Sequence, residues 1–317
     1  MAECQDTMAA SLATAIEILL PIFGLILLGY ALCWRSFVAD SFWAPAGKLA
    51  YFLLLPALLI NTLATAPLRD LQIGSLAAVL ALGLLSVAGI LLVLRPRIGA
   101  DGRAFSSVFQ GAIRHNTYVG LATVAVVAGA TGTAYAAVAL PVMVILVNLL
   151  SVGVLVRYAA AVRVGWAAVL RAIATNPLIL ACVLGVLLNL SGIGLPAIPG
   201  RMVAALGQAS LPLGLLLVGA GLDLRSLHRR PQLMAVASAA KLMLLPAIVY
   251  GLALLLHLEG TGAMVAVIFA ALPTAPSAYI LAEQMGGDAP LMAAILTLET
   301  LLAIATLPFW LAWVAAV

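Results

Sequence analysis

The chain has 317 residues, of which 65% are hydrophobic and only 8% charged, with a formal net charge of +4. Soluble domains carry roughly a quarter of their residues charged, so this balance excludes a water-soluble globule and points to a polytopic membrane protein. The basic residues are scattered through short loops rather than gathered on one face, which argues against a nucleic-acid surface and reads as topology.

Ten apolar segments follow in chain order, at 12–34, 44–66, 72–94, 104–128, 134–156, 169–191, 201–221, 232–256, 261–283 and 289–315. Each is about long enough to cross ~30 Å of hydrocarbon as a helix. None alternates with the period of a barrel strand, so the expected fold is an all-α membrane protein. The first segment is full length and follows Glu3 and Asp6 rather than basic residues, so it is expected to remain as a span and not to be cleaved as a signal. With ten spans, the loops after spans 1, 3, 5, 7 and 9 share one face. That face holds Arg35, Lys48, Arg95, Arg97, Arg103, Arg157, Arg163, Arg171, Arg225, Arg229 and Arg230, against only Arg69 and Arg201 opposite. The positive-inside rule then predicts both termini on the non-cytoplasmic side of a cytoplasmic (inner) membrane. Cys4, Cys33 and Cys182 form no CxxC or Cys/His cluster, so no metal and no cofactor is expected; Cys33 and Cys182 read as small apolar residues.

Span 1 opens a repeat. A shift of 156 residues lays LPIFGLILLGYAL (20–32) on NPLILACVLGVLL (176–188), pairing Pro21 with Pro177 and Gly29 with Gly185, and it pairs Pro56 with Pro212. At about 5% proline, roughly 160 compared positions would give ~0.4 coincident prolines by chance. The shift moves span 1 onto span 6, an odd number of crossings, so the halves 1–156 and 157–317 would lie upside down relative to each other. Inverted repeats place substrate near the bilayer midplane, at interrupted helices in corresponding positions of the two halves.

Span 4 contains RHNTYVG (114–120), which competes with helix through polarity: Asn116 and Thr117 can bond local backbone, and Gly120 permits unusual dihedrals. Arg114 either contacts substrate, snorkels toward the cytoplasm or neutralises an acid; His115 can titrate near neutral pH. Asn148 in span 5 either lines the same cavity or bonds a neighbouring helix. Lys241 in span 8 is close enough to the cytoplasmic face to snorkel.

Span 9 contains ALPTAPSAY, where Pro273 and Pro276 delete two backbone donors, so the helix should break near Pro273, with Thr274 capping the following half-helix. Where spans 4 and 9 cross, the positive N-terminal ends of their second halves would face a shared anion site. Ser277 is the residue beyond the break expected to face substrate. Glu299, halfway along span 10, is either a proton carrier or the partner of a cation such as Lys241 or Arg114.

RHNTYVGLA, VNLLSV (147–152), NPLILACVLGVLLNLSGIGLP (176–196), ASLPLGLLLVGAGL (209–222), KLMLLP (241–246) and ALPTAPSAYILAEQMGGD (271–288) together resemble bacterial members of the auxin efflux carrier family, including malonate and malate permeases, over essentially the whole chain. The resemblance implies ten helices in two inverted five-helix repeats with crossing broken helices 4 and 9, similar to sodium/proton antiporters and bile acid symporters. It also implies a dimerising scaffold of spans 1, 2, 6 and 7, a moving, elevator-like transport domain of spans 3–5 and 8–10, and organic anions as substrates. The family's crossover asparagine matches Asn116; the proline of plant members at this crossing is absent here.

The expected function is a secondary carrier of a mono- or dicarboxylate by alternating access. Arg114, Asn116, Thr117, Tyr118, Asn148, Pro273, Thr274 and Ser277 are the candidate substrate residues, and His115 and Glu299 the coupling candidates for H+ or Na+. A channel or a transporter-shaped sensor is the alternative; an intramembrane enzyme is disfavoured because HExxH, a GxSG serine with its histidine, and paired membrane aspartates are missing.

Overall fold

The computed structural model describes residues 2–68, 71–159, 171 and 174–315. Arg69, Arg163 and the Cys4 side chain, named above for topology and cysteine chemistry, lie outside what it describes. The described residues contain helices and turns and no strand, as a chain of long apolar runs must: in hydrocarbon every backbone N–H needs a partner within its own segment. Among the described residues seven stretches are long and apolar enough to cross a membrane, namely Leu12–Trp34, Asp40–Thr65, Ile73–Ile98, Gly102–Tyr158, Ala197–Ala220, Pro231–Leu255 and Ala289–Ala315, while the apolar Pro177–Leu190 and Gly260–Ala271 are shorter.

The first half holds α1 (Ala2–Trp34), α2 (Trp43–Leu49), α3 (Leu55–Thr65), α4 (Ile73–Ile98), α5 (Gly102–Ile113) and α6 (Thr117–Tyr158). Between α2 and α3 the chain widens into a π-type segment, Ala50–Leu54, just before Pro56, whose ring cannot supply the missing N–H. The break expected between 128 and 134 falls at Gly129 (φ 58°, ψ −148°), a conformation only glycine adopts cheaply, where the two helical stretches that make up α6 meet at a kink.

The second half holds α7 (Pro177–Leu190), α8 (Ala197–Ala220), α9 (Pro231–Ala239), α10 (Leu245–Leu255), α11 (Gly260–Ala271), α12 (Ser277–Met285) and α13 (Ala289–Ala315). The start expected at 169 lies outside the described residues; α7 begins at Pro177, which takes the first helical position, where Asn176 caps the N–H groups of Leu178 and Ile179 (2.9 and 3.4 Å). A second π-type segment, Ala240–Leu244, precedes Pro246, and the Trp310 indole N–H donates to the Leu242 carbonyl (2.8 Å) there. Cys182 is buried and its thiol donates to the Ala137 carbonyl, consistent with a small core residue.

Two sets of helices pack mainly within themselves. α1 lies along α8, while α3 lies along α7 and α8; α4, α5, α6, α9, α10, α11 and α13 form the other body. Contacts within the first set are backbone close: a side chain on Gly29 would strike the Leu216 backbone, and one on Gly219 would strike Ile26. Gly185 faces Ile60 and Leu63 in the same way. The outer faces of α1 and α7 remain open, with Leu20 65% and Leu187 59% exposed, as expected of surfaces that meet acyl chains.

At one end of the second body, Asp101 caps α5 by accepting from the Ala104 N–H (2.9 Å), and it pairs with Arg230 (3.0 Å), which also approaches Asp288 (3.8 Å). Arg103 ties this loop to the Gly286 and Gly287 carbonyls. The Ala104 N–H first, and the Arg230 guanidinium next, hold the Asp101 carboxyl below the usual carboxylate range. Its contribution is therefore present above the unfolded carboxylate range and lost as pH falls through the lower folded value. Asp101→Ala should cost about 1 kcal/mol near neutral pH, and its melting curve should merge with that of the native protein in acid. A difference that persists in acid would show that the cap is not acting as a carboxylate.

Candidate anion site at two interrupted helices

α5 ends at Ile113 and α6 begins at Thr117; α11 ends at Ala271 and α12 begins at Ser277. The polar run 114–116 and the proline pair thus interrupt their helices as the local chemistry predicts, and the two interruptions touch. The Asn116 N–H donates to the Pro273 carbonyl (2.8 Å), and the Thr274 hydroxyl donates to the Gly111 carbonyl (2.7 Å) and more weakly to that of Arg114 (3.5 Å). Thr274 therefore does not cap its own following helix, whose N-cap position is Pro276 with no side-chain bond. It closes the C-terminal end of α5 instead, because carbonyls left without partners in a dry interior are costly and the crossing strand is the nearest donor.

A cavity of about 120 Å³ opens beside this contact, lined by Tyr51, Arg114, His115, Thr117, Val144, Val147, Asn148, Leu178, Ala275 and Ser277. The first residues of α6 and α12, Thr117 and Ser277, both line it, so two helix N-termini face the same space. Typical drug-sized sites span about 300–1,000 Å³, so this one is sized for a molecule of a few heavy atoms.

Arg114 is only 7% exposed. Its guanidinium donates to Asn148 Oδ1 and Ser277 Oγ, each at 3.1 Å. Both acceptors are neutral, and among the described residues no carboxylate lies within 4.0 Å of it. The snorkelling and acid-pairing readings of Arg114 fail on these grounds, and Asn148 is a cavity residue. The same holds for Lys241, expected to snorkel: it is fully buried on the Ala240–Leu244 segment among α5, α11 and α13. Distance along the helix from its end suggested an escape to water, but neighbouring helices cover that face on all sides. Glu299 is fully buried, with Oε2 accepting from the Thr274 N–H (3.0 Å) and Oε1 without a partner.

His115 faces the cavity with both ring nitrogens unpartnered and its ring 5.9 Å from that of Phe269. Asn116 lies behind the lining: Oδ1 caps α6 through Tyr118 and Val119 N–H (3.1 and 3.3 Å), and its buried Nδ2 has no partner. Pro273, Thr274 and Glu299 are likewise behind it, and Tyr118 turns its ring onto Gly214 of α8. Tyr51 was missed. It comes from the π-type segment before α3, reaches the cavity and accepts from Asn176 Nδ2 through its hydroxyl (3.3 Å); a lone tyrosine in an apolar span gave no local signal.

The chain is similar to known membrane transport proteins. Residues 160–311 match a family described as "Membrane transport protein". The chain is 29% identical to a Rhizobium meliloti (strain 1021) protein described as "Putative malonate transporter", across 91% of this chain and 92% of that one. It is also 29% identical, over 42% of its length and 44% of the relative's, to an "Uncharacterized transporter" of Methanothermobacter thermautotrophicus.

Proposed function

We propose that the chain, which is similar to membrane transport proteins and resembles the auxin efflux carrier family, is a secondary carrier of a small organic anion. The substrate is a carboxylate of about malonate's size, and the site alternates between the two faces of the membrane. One observation carries this reading: a buried arginine with only neutral partners faces a small cavity at two helix starts. A desolvated cation without a counter-ion is costly, and an incoming carboxylate supplies what is missing. Asn148 and Ser277 hold the guanidinium until then.

The architecture is ten crossings in two inverted halves, 1–156 and 157–317. In this reading Gly102–Tyr158 counts as two spans, separated at Gly129, and the short α7 and α11 count as parts of spans 6 and 9. Reciprocal glycine contacts support it. Gly29 meets Leu216 and Gly185 meets Ile60, and both members of one pair differ from the other pair by 156 residues, in opposite senses. The set of α1, α3, α7 and α8 is the scaffold and forms a homodimer through its open faces. The remaining helices carry the crossing past it in an elevator movement. Both termini lie on the non-cytoplasmic side of the cytoplasmic membrane. Among the cavity's residues Arg114 binds the carboxylate and Thr117, Asn148 and Ser277 complete the polar wall; behind them, Asn116 with Pro273 and Thr274 sets the crossing.

Purified protein in liposomes tests this reading with labelled malonate. Asn116→Ala loses a helix cap worth about 1 kcal/mol, so the variant should still fold, yet uptake should be abolished because both ends of the crossing shift. Undiminished flux would remove Asn116 from the site. Accelerated exchange when unlabelled malonate is placed on the opposite side marks a carrier; flux that never saturates marks a channel instead.

A further inference from the structure

Glu299 does not line the cavity, yet it is joined to it. Its Oε2 accepts from the Thr274 N–H, and the Thr274 hydroxyl donates to the Gly111 and Arg114 carbonyls, so a short chain of hydrogen bonds links the carboxylate to the backbone of the cavity arginine. Its Oε1 has no partner and sits close to Gly111, where a β-carbon would lie 3.5 Å from it. Lys241, from the π-type segment, is the cation that Glu299 faces, and its Nζ also has no hydrogen-bond partner. His115 sees both Lys241 and Arg114. Asp223, Glu17 and Glu283, from the other elements around α13, are exposed, and the Asp223 N–H donates to Thr297 on that helix.

Charge counting decides what this cluster can do. In their ordinary ionised forms Arg114 and Lys241 are cations and Glu299 is an anion, leaving the empty site with one positive charge. A monocarboxylate neutralises it. A dianion drives it one charge negative, and net charge in a low-dielectric interior is strongly opposed. One added proton restores neutrality, and the group able to take it is the carboxylate with a free oxygen. His115 is the poorer recipient, because a proton there would put a third cation beside two others.

We propose that Glu299 takes up one proton at Oε1 for each dicarboxylate dianion that binds at Arg114, and that proton and dianion cross together. This rests on the carrier reading above. The balance is one proton and one dianion in from one face, and the same pair out at the other, with Thr274 keeping Oε2 as an acceptor throughout. The loaded site is then neutral, and the empty site returns carrying one positive charge.

The test uses the native protein in liposomes holding a pH-sensitive dye, near neutral pH where malonate is a dianion. Malonate uptake should acidify the interior by one proton per malonate. Glu299→Gln, which keeps shape and removes the proton site, should lose proton movement, and its malonate uptake should fall about tenfold or more and no longer respond to external pH. Native uptake of malonate without proton movement would overturn the proposal, and so would a pH response in Glu299→Gln equal to the native one. If the native protein takes up no malonate at all, the carrier reading fails and this proposal with it. The two failures are distinguishable because only the second lacks a substrate signal.

Discussion

Arg114→Gln is expected to reduce uptake of the anion by about 100-fold while leaving the protein folded. Removing one partner from a desolvated charge contact costs about 2–5 kcal/mol, and about 3 kcal/mol corresponds to about 100-fold in affinity. Folding should survive because Arg114 is held by Asn148 and Ser277, which are neutral, so its loss strands no buried carboxylate among the described residues. Glutamine can still bond one of them. Arg114→Lys keeps a charge but loses the fork that reaches both acceptors, so it should retain only part of the uptake. Concentration-dependent uptake into liposomes, alongside a melting curve, separates affinity from stability. Native-like affinity in Arg114→Gln would contradict the site as drawn.

The largest effect on stability is expected from Gly219→Val. A β-carbon there would land on the Ile26 carbonyl and 2.8 Å from the Tyr30 nitrogen, so α1 and α8 would have to separate. Overpacking of a core costs about 1–3 kcal/mol when side chains can yield. Here the obstruction is backbone on both sides, so the cost should reach about 3 kcal/mol or more. Gly24 provides the control, since nothing lies within 4 Å of a β-carbon at that position on the same α1 helix. Gly24→Val should melt like the native protein in detergent, and Gly219→Val should melt far lower or fail to remain monodisperse. Equal melting of the two would mean that the close approach of α1 and α8 does not hold the fold.

The positions of the two interruptions were readable from a few residues each. Proline lacks a backbone donor, and asparagine bonds its own backbone neighbours; both act within a turn of chain, so no tertiary information is needed to place them. The role of Thr274 was not readable in this way, since its partners, Gly111 and Glu299, are 163 and 25 residues away. The cap rule assigned it to its own helix, whereas the unbonded carbonyls of α5 took it. The widened segment before Pro246, which carries Lys241, likewise has no local marker beyond the proline itself.

By itself the sequence determined that the protein lives in a bilayer, that it is helical, and where two helices break among polar groups. These follow from composition and from backbone chemistry acting over short distances. Only the tertiary structure decided that Arg114, Asn148, Ser277 and Tyr51 share one cavity, that Asn116 and Glu299 stand behind it, and that Lys241 is shut away from water. In a soluble protein the contrast between apolar and polar faces announces which side of a helix turns inward. In this chain lipid and core are equally apolar, so that contrast is missing, and the inward face is set by packing between helices far apart in sequence.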